Sequence, residues 1–261
     1  MVHSQRNEIS QSLGARNLHY LLKEKMEKEN IKLGRDKFID VLRAHWLLVP
    51  KLRNFVRTTN SNHNFWKFPN LVQDRVPTMP EQLWVSDITY IKLNGKHAYL
   101  ALITDAYSKK ILGYKLSTNM KASLTLDALQ MALKNRKYPN RKLIHHSDRG
   151  FQYCWPAYVE MAQQSGLILS MTQQYDPYEN ALAERLNRTI KYDFGLNQII
   201  PNKTIAMKMV RRAVSVYNTK RPHASLQKRT PESVHQLPNI PYRSYRKNKE
   251  IKYLNLNSIN H

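Results

Sequence analysis

Leu83-Trp84-Val85-Ser86-Asp87-Ile88-Thr89-Tyr90-Ile91 is rich in β-branched and aromatic residues and reads as a β-strand, and Asn94-Gly95 just beyond it is a strong hairpin signal. Tyr99 to Thr104 reads as the returning strand, Ser108-Lys109-Lys110 as a second turn, and Ile111 to Leu116 as a third strand. The texture then alternates. A helix is expected from about Lys121 to Asn135, entered through Ser117-Thr118-Asn119, followed by a short buried strand at Lys142 to His145. A helix over Pro156 to Ser165, a strand over Leu167 to Met171 and a long helix from about Tyr178 to Gly195 complete the run. Three antiparallel strands followed by alternating helix and strand imply an α/β fold, a layered sheet with helices on both sides.

Within that frame three acids stand out. Asp87 falls mid-strand among apolar and aromatic neighbours, where an ionised carboxylate is costly unless it is paired or bound to a cation. Asp148 lies just past the end of a buried strand, in His145-His146-Ser147-Asp148-Arg149-Gly150, where catalytic groups are often held and where Gly150 lets the backbone turn. Glu184 lies on the long helix. At about 100° per residue, Arg188 falls about 40° to one side of it and Lys191 about 20° to the other, while Leu182, Leu186 and Ile190 face away. One helix face can therefore pack on the sheet while the other offers a carboxylate between two cations.

Taken singly, each acid has an ordinary explanation as a cap or a surface ion pair. The order mid-strand, strand end and helix is what suggests a common site. Carboxylates of that kind suit Mg2+ or Mn2+, and two such ions can activate a water or a 3′-hydroxyl and stabilise the leaving oxygen of a phosphoryl transfer. Asp105, closing the second strand, is a rival carboxylate and reads as structural, as do His145 and His146. Cys154 is the single cysteine, which excludes a disulfide framework and a cysteine-based zinc site within the chain, and it reads as a small core residue.

The flanks are basic. Lys and Arg number 42 against 19 Asp and Glu, a net charge of +23 that favours polyanionic partners. Residues 1–50 read as a helical, helix-turn-helix-like DNA-binding region. Leu18, Leu21, Leu22 and Met26 repeat at helical spacing, Asn30 to Gly34 interrupts, and Phe38, Ile39, Leu42 and Trp46 resume, with Arg35, Lys37 and Arg43 on the second helix. Residues 51–80, with Thr58-Thr59-Asn60-Ser61-Asn62, Pro69, Pro77 and Pro80, read as a linker, and its aromatic residues Phe65, Trp66 and Phe68 suggest that part of it packs. The catalytic core is expected over residues 81–200. A basic helical C-terminal extension follows over 201–261, where Arg211, Arg212 and Arg221 would follow a phosphate backbone. No apolar run approaches a membrane span, the first residues lack the apolar stretch of a signal peptide, and one cysteine fits a reducing compartment.

These residues resemble the IS3 family of insertion-sequence transposases, the protein of their second reading frame, over nearly all of the chain. Trp84-Val85-Ser86-Asp87-Ile88-Thr89-Tyr90 is similar to the segment around that family's first catalytic Asp, and His146-Ser147-Asp148-Arg149-Gly150-Phe151-Gln152-Tyr153 to that around the second. Asn180-Ala181-Leu182-Ala183-Glu184 resembles the segment around its catalytic Glu, with Lys191 where the family carries a basic residue. The 35 residues between Asp148 and Glu184 match the spacing shared with retroviral integrases. Tyr217-Asn218-Thr219-Lys220-Arg221-Pro222-His223, followed by Thr230-Pro231, resembles the family's C-terminal signature. Asp176-Pro177-Tyr178-Glu179-Asn180 departs from it, with Glu179 where Asp is common. His3, His19, His45 and His63, without a nearby cysteine, cannot reproduce the zinc-binding N-terminal domain of retroviral integrases.

The resemblance implies an RNase H-like mixed five-stranded sheet and a DDE active site of Asp87, Asp148 and Glu184 holding two Mg2+ or Mn2+ ions. It implies cleavage at element ends and transfer of the 3′-hydroxyl into target DNA, with Lys191 and Arg188 touching the element end. A bacterial cytoplasmic protein working at the nucleoid is expected, acting on double-stranded DNA as a homo-oligomer. An upstream-frame protein fused by ribosomal frameshifting is the further expected partner. The rival readings are a catalytically inactive DNA-binding relative that regulates transposition, and a ribonuclease H.

Overall fold

The computed structural model describes residues 1–50, 65–73, 75–173, 181–237 and 252–256. Thr58 to Asn62 of the linker, the departure at Asp176 to Asn180 and the residues 238–251 and 257–261 of the extension lie outside them. Three helices open the chain, α1 (Val2–Glu8), α2 (Ala15–Lys28) and α3 (Arg35–Ala44). The last two are the expected pair. Leu18, Leu22 and Met26 of α2 meet Phe38 and Leu42 of α3, and Asn30, at φ 55°, turns the chain between them. The first helix was not foreseen, because Val2 to Glu8 shows no apolar stripe. Arg6 fastens it instead, donating to the carbonyls of Leu13 at 3.4 Å and Leu47 at 2.7 Å.

After β1 (Arg75–Val76) come β2 (Leu83–Leu93), β3 (Lys96–Asp105) and β4 (Ile111–Ser117), which pair antiparallel as expected. Then follow α4 (Ser123–Lys134), β5 (Leu143–Ser147), a one-turn α5 (Phe151–Cys154), α6 (Pro156–Gln164) and β6 (Leu167–Met171). Beyond them lie α7 (Ala181–Asp193), α8 (Lys203–Thr219), a 3-10 turn (Ala224–Leu226), α9 (Pro231–Gln236) and β7 (Lys252–Tyr253). The main sheet runs β4-β3-β2-β5-β6, with β5 and β6 parallel to β2, so β2 is central. A small parallel pair, β1 with β7, lies apart from it.

Side chains alternate across β2, and each face is covered. Trp84 and Ile88 join Ala101, Ile103 and Leu112 under α4, α5 and α6, through Leu124, Leu129, Tyr153 and Tyr158. Ile91 and Leu93 join Leu100, Leu102 and Leu116 on the opposite face, where Leu186 and Ile190 of α7 and Ala206, Val210 and Tyr217 of α8 cover them. The basic segment after residue 200 thus supplies part of the hydrophobic layer that backs the central strand. Asn218 extends the join, since its side chain accepts from the Ile111 amide at 3.0 Å and donates to the Ile111 carbonyl at 2.9 Å. Residues 65–73 also pack: Phe68 lies against the first core, and Leu71 and Val72 against Leu83 and Ile144. Among the described residues, no helix is long and apolar enough to cross a membrane.

Candidate active site

The parallel pairing of β2 with β5 sets Val85 opposite His146. Continuing that register by two residues brings Asp87, in the middle of β2, level with Asp148, just past the end of β5. Asp87 is partly buried, and its Oδ1 accepts from the Ile88 amide at 2.8 Å. Asp148 follows the last residue of β5, and its Oδ1 accepts from the Gly150 amide at 3.0 Å. That contact leaves little room at residue 150, where an added Cβ would lie 3.0 Å from the same oxygen.

Glu184 comes from above the sheet. The face of α7 with Ala183, Leu186 and Ile190 is buried, while Glu184 and Arg188 are exposed and Lys191 is half-buried. Asn187, one turn beyond Glu184, is buried, and its side-chain amide donates to Asp87 Oδ2 at 2.8 Å. The electrostatics follow that placement. Burial, then the charge of Asp148, then that of Glu184 push the Asp87 carboxyl up to about 8, against the lowering hydrogen bonds from Asn187 and Ile88. Burial and then Asp148 raise Glu184 as well. All three acids therefore feel one another. Among the described residues, however, no three His, Cys, Asp or Glu side chains gather closely enough to enclose a metal ion.

The other candidates are distributed differently. Lys191 holds its amine 4.2 Å from the centre of the Tyr90 ring, and burial followed by the neighbouring charge of Lys92 lowers its pKa. Arg35, Lys37 and Arg43 are exposed on α3, where Arg35 pairs with Asp36 and Arg43 with Asp40. Arg211 is exposed on α8, Arg212 donates to the Asn7 carbonyl at 3.0 Å, and Arg221 pairs with Asp193 at 2.7 Å, tying the end of α8 to the end of α7. The rival acid Asp105 is fully buried and accepts from the amides of Glu81 at 2.6 Å and Ser108 at 2.7 Å. His145 and His146 bond to Tyr158 Oη at 2.6 Å and Ser170 Oγ at 2.8 Å, inside the core. Asn187 is the residue that sequence reading passed over. Its signal was positional, since it lies about 60° from Glu184 on the helix, on the Lys191 side.

Two sequence families, both described as Integrase core domain, match residues 77–177 and residues 165–231. The "Insertion element IS600 uncharacterized 31 kDa protein" of Shigella sonnei is 36% identical over 222 residues, covering 83% of this chain and 81% of the relative. The transposase InsF for insertion sequence IS3A of Escherichia coli is 36% identical over 153 residues, 58% of this chain and 53% of the relative. The chain belongs to the IS3-family insertion-sequence transposases, with an integrase core domain. The match to a putative transposase for IS986/IS6110 of Mycobacterium tuberculosis, 36% identical, spans 50% of that relative's length and 52% of this chain. Among solved structures, a simian T-cell lymphotropic virus intasome in complex with a PP2A regulatory subunit is similar with a TM-score of 0.53 at 17% identity. That match covers 90% of this chain and 79% of the matched chain. The likeness concerns the fold, which is the RNase H-like mixed sheet of integrase catalytic cores.

Proposed function

We propose that this transposase cleaves DNA at the ends of an insertion element and joins the 3′-hydroxyl to target DNA, using Asp87, Asp148 and Glu184 to hold two Mg2+ or Mn2+ ions. The observation that carries this reading is the 2.8 Å bond from Asn187 to Asp87, which fastens the Glu184 helix over the part of β2 that lies level with Asp148. The donor set fits hard cations, because all three groups are carboxylates. Mutual repulsion among the three carboxyls, which raises the Asp87 pKa, would be relieved by a dication. Such ions supply activation of the attacking oxygen and stabilisation of the leaving one.

The chain's own groups do the rest. Asn187 and the Ile88 amide fix both oxygens of Asp87, and the Gly150 amide fixes one oxygen of Asp148. Glu184 is exposed, and in this reading its side chain turns toward the two aspartates when the ions bind. Lys191, on the same helix and half-buried against Tyr90, offers a cation to the phosphate backbone, as do the exposed Arg188, Arg211, Lys37 and the pair Arg35 and Arg43. Double-stranded DNA, a second copy of the chain and a protein encoded upstream are the partners in this reading, and the +23 charge supports the first.

The test is strand transfer by purified protein with labelled element-end DNA and Mn2+. Activity is expected for the native chain and is lost in Asp148→Asn and Glu184→Gln. DNA binding without any strand transfer would indicate the inactive regulatory relative, and cutting of RNA–DNA hybrids alone would indicate a ribonuclease H.

A further inference from the structure

Three aromatic side chains stand at the surface beside the strand end that carries Asp148. Trp66 is 78% exposed, Trp155 41% and Phe65 36%, the last two in edge-to-face contact at 5.7 Å. Their place follows from the backbone. Met171, the last residue of β6, pairs with Ser147, the residue before Asp148, and its amide donates to the Pro69 carbonyl at 3.3 Å. Phe68 packs in the same core as Cys154 and Met171, which draws residues 65–69 along that end of the sheet. From the other side, α5 begins at Phe151 just after Gly150 and ends at Cys154, so Trp155 stands one short helix away from Asp148.

The patch is cationic as well as aromatic. Lys67 lies between Trp66 and Phe68, and Arg149 follows Asp148 directly. The charges of Asp148, Lys67 and Arg149 all reach the Cys154 thiol, which puts them in one neighbourhood. Rings of this size are ordinarily buried, and exposed clusters of them mark a contact surface. Aromatic faces flanked by Lys and Arg suit nucleobases, because every base has a π-face to stack and a phosphate close by.

We propose that Phe65, Trp66 and Trp155, flanked by Lys67 and Arg149, form a platform on which unpaired bases of the DNA stack next to the reacting phosphate. Continuity with the Asp148 end of the sheet favours this occupant, as does a net charge of +23 that draws a polyanion. The inference rests on the strand-transfer reading, and the experiment separates the two by using full-length Asp148→Asn protein in EDTA, where only binding is measured.

Fluorescence anisotropy would compare a blunt duplex with one carrying a short single-stranded tail. The tailed duplex is expected to bind more tightly. Trp66→Ala and Trp155→Ala should each reduce that preference roughly tenfold, the scale of one lost base stack, while leaving blunt-duplex affinity unchanged. Trp66→Phe should keep most of the preference, and unchanged thermal midpoints would show that these surface variants fold. Equal weakening of both duplexes, or no preference for the tail in the native surface, overturns the platform. A fall from oligomer to monomer in sedimentation, with the preference intact, would assign the patch to contact between copies instead. Failure to bind either duplex would remove the strand-transfer reading and the platform together, whereas a tail preference in a chain that never transfers strands would leave the platform standing alone.

Discussion

Asn187 on α7 donates to Asp87 on the central strand at 2.8 Å, and this one bond connects the two elements that carry the first and third acids. The bond is made in a partly buried place, and once a cation ionises Asp87 it is of the stronger, charge-assisted kind. It also lies one helical turn from Glu184, so loosening it tilts or shifts that carboxylate relative to Asp87.

Asn187→Ala should therefore slow strand transfer by roughly tenfold to a hundredfold, the range expected when a hydrogen bond to a charged group is removed from an organised site. Asn187→Asp should do worse, since it places a fourth negative charge beside three. The measurement is single-turnover strand transfer at saturating Mn2+ together with thermal unfolding. Wild-type rates in Asn187→Ala would show that the Glu184 helix is positioned by other means.

Asp87 makes metal-free stability depend on pH. Its carboxyl titrates near 8 in the folded chain, against an ordinary 3.8, first because it is buried and then because Asp148 and Glu184 face it. Between those values the folded state keeps a proton that the unfolded chain has released, so the stabilising contribution is whole below about pH 4 and is lost as pH rises through about 8. In EDTA, Asp87→Asn should melt above the native protein at pH 8, with the gap closing toward pH 4. Adding Mg2+ at pH 8 should raise the native midpoint more than that of the variant. A gap that does not change with pH would contradict the assigned repulsion.

What could be read without coordinates followed from physical conflict or periodicity. Asp87 was visible because an acid in Trp84-Val85-Ser86-Asp87-Ile88 contradicts its surroundings, and Asp148 because it closes a run of buried strand residues. The α2–α3 pair was visible through its leucines. By contrast α1 is held by polar contacts from far along the chain, Arg6 to the Leu47 carbonyl and Arg212 to the Asn7 carbonyl, which leave no periodic trace. Asn187 was silent because an asparagine on a helix has no fixed meaning until its partner strand is placed beneath it. Charge alone suggested Arg221 as a phosphate contact and left silent its pairing with Asp193, 28 residues earlier in the chain.

Gly113 marks a close approach between β4 and α4. A Cβ built there would lie 2.1 Å from the Ala128 carbonyl oxygen, 2.8 Å from the Ala132 amide nitrogen and 2.9 Å from the Ala132 Cβ. Two of these are backbone atoms that cannot rotate aside. Gly113→Ala should cost on the order of 1–3 kcal/mol as the helix is pushed off the sheet, read as a lower urea midpoint with little change in its slope. The site lies on the sheet face opposite α7, so strand transfer at low temperature should survive. Native stability in this variant would mean that α4 can shift freely.

His235 closes a buried clasp at the other end of the sheet. Its Nε2 lies 3.2 Å from Glu81 Oε1, and its Nδ1 lies 3.0 Å from Ser108 Oγ and 3.8 Å from Asp105 Oδ1, all of them buried. Glu81 is held in turn by the amides of Lys137 at 2.7 Å and Tyr138 at 2.9 Å, so α9 is bolted to the β3–β4 turn and to the end of α4. Burial lowers the His235 pKa, but the facing carboxylates of Asp105 and Glu81 outweigh it, and the net shift is upward from 6.5. A histidine raised in this way contributes stability that is whole below pH 6.5 and fades as pH climbs through its folded value. His235→Gln should accordingly lose on the order of 1–3 kcal/mol near pH 6, the scale of removing one partner from buried charged hydrogen bonds, while Arg136 still lies 3.5 Å from Glu81. The deficit should shrink in alkaline solution, where the native imidazole is neutral too. Thermal melts of both proteins across pH 6 to 9 decide it, and a deficit that grows with pH would show that His235 is neutral in the folded chain.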